Sequence, residues 1–66
     1  MNGRNKMTTI VNVKACCNDT QEVVIDILDN GITSNLVVLN NSEEWTGYVY
    51  EDRRIVISEV YKKGLT

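Results

Sequence analysis

Clusters of turn-forming residues recur at a fixed interval along this chain. Asn18-Asp19-Thr20, Asp29-Asn30-Gly31, Asn40-Asn41-Ser42 and Glu51-Asp52-Arg53 begin eleven residues apart, four times running. Asn and Asp tolerate left-handed dihedrals and bond their own backbone, and Gly adopts such dihedrals without steric penalty. The fourth cluster is poorer in these residues but polar throughout. Turns spaced roughly 8–12 residues apart cut a chain into short strands, the pattern of an all-β meander, barrel or sandwich. The pieces between the turns are not alike, so the period is one of turns and not a sequence repeat.

Five segments between the turns read as strands. Thr9–Ala15 alternates, with Val11, Val13 and Ala15 on one face and Asn12 and Lys14 on the other. In Val23–Leu28, the residues Val23, Ile25 and Ile27 line one side. Leu36–Leu39 is apolar on both sides, and Trp45–Tyr50 sets Trp45 and Val49 against Tyr48 and Tyr50. Ile55–Tyr61 again mixes the faces. The β-branched and aromatic residues that dominate all five suit a pleated surface. The expected fold is therefore all-β, a five-stranded antiparallel meander closed as a small barrel or sandwich. The alternative is α+β, with a helix at 21–29 capped by Thr20 and stopped at Asn30 or Gly31. Four β-branched residues in that segment lose rotamer freedom in a helix and favour the strand. Gly47, inside the fourth strand, predicts a bend such as a barrel corner requires.

The pattern divides the apolar residues into two sets. Val11, Val13, Val23, Ile25, Ile27, Trp45, Val49, Ile55 and Ile57 form the expected core side. Ile10, Val24, Leu28, Tyr48, Tyr50, Val56 and Val60 lie opposite, and a single open sheet would leave them in water. Either the sheet closes over itself or a second copy covers it. At 66 residues the chain holds one small domain, and a core of that size supplies only roughly 3–5 kcal/mol of net stability. We assign residues 8–62 to this domain, 1–7 to a flexible leader in which Met7 is a candidate initiator, and 63–66 to a flexible tail.

Disulfides and metals offer this core little support. Cys16 and Cys17 are adjacent, so they cannot staple distant segments. Histidine is absent, and two contiguous thiols lack the separated ligand pairs of a structural zinc site. The thiols also have no imidazole base to activate them. The acidic pairs Glu43-Glu44 and Glu51-Asp52 read as solvated turn residues. No catalytic, cofactor-binding or metal-ligating residue is assigned, and the expectation is a non-enzyme that self-associates for stability.

Charge narrows the partners. Between Thr8 and Tyr61 only Lys14, Arg53 and Arg54 oppose nine acids, a formal −6. Such a surface repels phosphate backbones and anionic membranes and attracts a basic protein. No run approaches the roughly 18 apolar residues of a membrane span, and no signal-peptide core follows the basic start. A cytoplasmic location is expected. Trp45, Tyr48, Tyr50 and Tyr61, with Arg53 and Arg54 nearby in sequence, are the candidate interaction residues. Tyrosine brings a large apolar face at low entropic cost and is enriched in protein interfaces. The functional expectation is a small protein-binding module, an inhibitor or modulator of a partner protein encoded by a virus or mobile element. The alternatives are a small barrel that stacks single-stranded nucleic acid on Tyr48 and Tyr50, and an oligomer holding a small molecule between subunits.

Overall fold

The computed structural model describes residues 8–62, and all five of its elements are strands. These are β1 (Thr9–Lys14), β2 (Gln21–Asp29), β3 (Ile32–Leu39), β4 (Glu44–Val49) and β5 (Arg53–Tyr61). The leader at 1–7 and the tail at 63–66 lie outside the described residues. Each polar cluster forms a turn where the spacing predicts one. The segment 21–29 is strand throughout, so the helical alternative is corrected. Its β-branched residues lie between two pairing partners, which satisfy the backbone on both sides.

The strands do not pair in chain order, and the expected meander is also corrected. β1 pairs with β4 in a two-stranded ribbon, while β3, β2 and β5 form a three-stranded sheet with β2 in the middle. All pairings are antiparallel. No closed barrel forms among the described residues. Turn geometry separates the one true hairpin from the crossings. Asn30 and Gly31 both have positive φ, 57° and 82°, the arrangement whose twist matches that of two paired strands. β2 therefore leads directly into its partner β3. The turns before β4 and β5 carry a single left-handed residue each, Ser42 at φ 75° and Glu51 at φ 50°. There the chain passes from one sheet to the other.

Alternation fixes which side chains meet. Val23, Ile25 and Ile27 of β2 are buried, with Leu39 from β3 and Ala15 from the end of the ribbon. Val13, Cys17, Val37, Trp45 and Ile55 are half-buried and pack against them. Ala15 is held where ribbon and sheet converge: its N–H donates to Glu43 O at 2.9 Å, and Ser42 N–H donates to Ala15 O at 2.8 Å. Both cysteines are free thiols. The cover over the sheet is incomplete. Ile57 lies beside Ile25 on the inner face but is 49% exposed, so its placement in the core is corrected. The two-stranded ribbon is too narrow to reach across three strands.

Gly47 makes no barrel corner. It sits within β4, opposite Val11, and it is buried because the Trp45 ring lies across it. Residues two apart on a strand share a face, and the missing side chain leaves the ring room to lie flat.

Candidate interaction surface

The candidate residues fall into four separate places. Trp45 belongs to the interior, packed against the core from β4. Tyr48 lies on the outer face of the ribbon, exposed and directly opposite Ile10 of β1. Tyr50, Arg53 and Arg54 gather around the turn between β4 and β5. Tyr61 ends β5, eight residues beyond Arg53 and so roughly 26 Å away along an extended strand. The aromatic residues and the arginines thus form no continuous platform.

Arg53 is engaged within the protein. Strand register places it opposite Asp29 at the end of β2. Its Nε donates to Asp29 Oδ1 at 2.8 Å and its Nη2 to Oδ2 at 3.1 Å, a two-pronged pair. The guanidinium carbon also stands 4.8 Å from the Tyr50 ring centre, a cation–π arrangement. Asn30 N–H donates to Asp52 O at 3.3 Å and ties the two turns together. This knot holds the end of β5 to the end of β2 and occupies one face of Tyr50. An open depression beside it is lined by Asn30, Gly31 and Glu51 to Arg54, a mixture of charges.

The Arg53 guanidinium, followed by a hydrogen bond from Ser34, holds the Asp29 carboxyl below its ordinary range. A carboxyl with a lowered pKa in the folded state stabilises the fold above its unfolded pKa, and this contribution disappears as pH falls through the folded value. The Asp29→Asn variant should therefore be the less stable protein at neutral pH, and the gap should shrink as pH falls below the ordinary carboxyl value. Urea unfolding at pH 7 and pH 3 reads the difference. An equal gap at both pH values would show that Asp29 acts through shape and not through its charge.

The other exposed feature is the outer face of the three-stranded sheet, which sequence reasoning did not single out as a site. Val24 and Leu28 of β2 point away from the core, Val24 with Ser58 opposite it on β5 and Leu28 with Thr33 and Arg54 as cross-strand neighbours. Their face is flanked by Leu36 and Val38 of β3 and Val56 and Val60 of β5. The four flanking residues are exposed. Asp26 stands in their midst, with Leu36 and Val56 as its cross-strand neighbours. Its Oδ1 accepts a hydrogen bond from Thr33 Oγ1 at 2.8 Å. Glu22 and Arg54 mark opposite ends of the same face. The spacing of apolar residues located this second face, but the register that places β3 and β5 on either side of β2 was needed to assemble it.

No group of three or more histidine, cysteine or acidic side chains is placed to hold a metal ion among the described residues. No helix there is long and apolar enough to cross a membrane. Compared with family models, curated proteins and solved structures, the chain has no match.

Proposed function

We propose that this protein is a non-enzymatic binding module that acts by occupying a protein partner through the outer face of its three-stranded sheet. The observation that carries this reading is the apolar surface formed by exposed Leu36, Val38 and Val56 and half-buried Val24 around the carboxylate of Asp26. Contiguous apolar surface with a polar rim is a common mark of a protein contact. Such a face binds by burying apolar anchors, while an embedded charge selects what may approach. Asp26 would then require a Lys or Arg from the partner, because an unpaired carboxylate is costly to bury. A basic partner also suits the acidic body of the chain.

The test is affinity capture from the native host with the full chain, beside the variants Val24→Lys and Val56→Lys. Both substitutions place a charge on the outer face while the inward-facing residues stay as they are. The expected result is a defined protein retained by the wild type, lost with both variants and then rebound when purified. Identical capture by all three chains would overturn the reading. So would binding of a single-stranded oligonucleotide that weakens steeply with salt, the behaviour of a phosphate contact.

A further inference from the structure

We infer that the β3 segment Asn35–Leu39 pairs antiparallel with the same segment of a second copy, joining two three-stranded sheets across a two-fold axis. An edge strand presents a row of unpaired N–H and C=O groups, and proteins commonly guard such edges with charge, proline or a bulge. Charge guards three of the four edges among the described residues, whereas β3 has only a bulge near its start. β1 carries Lys14, β4 carries Glu44, and β5 carries Arg53, Arg54 and Glu59. β3 carries no charge at all, and none occurs anywhere from Asn30 to Ser42. The chain also has no proline.

The bulge narrows the pairing segment. Ile27 lies opposite Asn35 and Leu28 opposite Thr33, which leaves Ser34 as the extra residue. A bulge bends and twists its strand, so Ile32–Ser34 is a poor template while Asn35–Leu39 continues in regular register. Within that stretch Leu36 N–H donates to Oδ1 of the preceding residue, Asn35, at 2.9 Å. This donor is turned away from β2, and backbone alternation turns Val38 N–H the same way. The outward row is thus formed by Val38 and by Leu36, whose N–H a second strand would take over from Asn35 Oδ1, and both side chains are exposed.

A second copy is the occupant that fits best. Two-fold pairing sets Leu36 and Val38 beside the same two residues of the other molecule, apolar against apolar. It brings no like charges together, whereas β5 paired with itself would have to accommodate three charged residues per strand. The contact is isologous and closes after two copies. It also extends the sheet of a molecule with only five buried apolar side chains among its described residues. This inference concerns a backbone edge and stands apart from the docking role of the outer face.

Sedimentation of the full chain should give a dimer at about 100 μM that dissociates on dilution. The double variant Leu36→Lys/Val38→Lys and the double variant Leu36→Glu/Val38→Glu should each be folded monomers by circular dichroism, with dimer affinity at least about tenfold weaker. Mixing them should restore a one-to-one dimer, because opposite charges then face each other across the edge. Val56→Lys, on the far strand of the same face, should leave the dimer intact. Amide exchange at Val38 should slow as concentration rises. A wild-type monomer at about 100 μM overturns the inference. So does a dimer lost with Val56→Lys while the Val38 amide stays unprotected, which assigns the contact to the outer face. Should both double variants fail to fold, the concentration dependence of Val38 exchange in the wild type decides.

Discussion

Replacing Ile25 with alanine is expected to abolish cooperative unfolding altogether. Ile25 is the central residue of the central strand, fully buried at 0% exposure. Its cross-strand neighbours are Val37 and Ile57. Truncating a buried isoleucine to alanine costs about 2–5 kcal/mol, combining lost apolar transfer with the cavity left behind. A domain of this size has roughly 3–5 kcal/mol in total. The substitution therefore removes a quantity comparable with the whole stability. Urea titration followed by circular dichroism and by the single tryptophan should show a sigmoidal transition for the wild type and a featureless slope for Ile25→Ala. Ile25→Val removes one methylene and should retain the transition at a cost of about 0.5–1.5 kcal/mol. A sharp transition in the alanine variant, within about 1 kcal/mol of wild type, would mean that the core does not depend on β2.

The second large effect is expected at Gly47. A Cβ built there collides with Cη2 and Cζ2 of Trp45, so Gly47→Ala must push the indole off the strand. The ring is half-buried and packs against the core, and overpacking of this kind costs about 1–3 kcal/mol. Because Trp45 is the only tryptophan, fluorescence reports the displacement directly. Emission should move to the red and acrylamide should quench it more readily, with the urea midpoint lowered in parallel. Gly47→Val should have a larger effect of the same sign. The reference is Thr46→Ala, which alters an exposed neighbour bonded to Asn12 and should leave the emission unchanged. Unaltered emission in Gly47→Ala would place the ring elsewhere than over the glycine.

Trp45 and Gly47 also illustrate what alternation can and cannot reveal. Their spacing puts them on one face, and that much is legible in the residues. The glycine's purpose is not, because bends, bulges and close approaches all leave the same mark on a sequence. The Asp29–Arg53 pair was hidden for a different reason. The two residues are 24 positions apart, and nothing local predicts that β5 returns beside β2. Once register is known, the pair follows from counting four residues forward along β2 from Ile25 and four back along β5 from Ile57. Arg53 was legible as a cation near tyrosines, but its engagement with Asp29 and Tyr50 required that long-range pairing. The apolar outer set was likewise visible in the alternation of β2 and β5. Its gathering around Asp26 depended on β3 and β5 flanking the same strand.

Turn chemistry and side-chain alternation are local properties, and they determined the strand class, the four turn positions and the buried face of β2. They act through the dihedral preferences of a few residues and through a period of two, which the chain carries in any context. Strand partnership is not local. Antiparallel pairing is available to any two pleated segments, so the choice of β4 for β1, and of β5 beside β2, rests on packing Ala15, Trp45 and Leu39 against a common interior. Tertiary structure alone decided that choice. With it came the open edge of β3 and the exposed sheet face on which the proposed interactions rest.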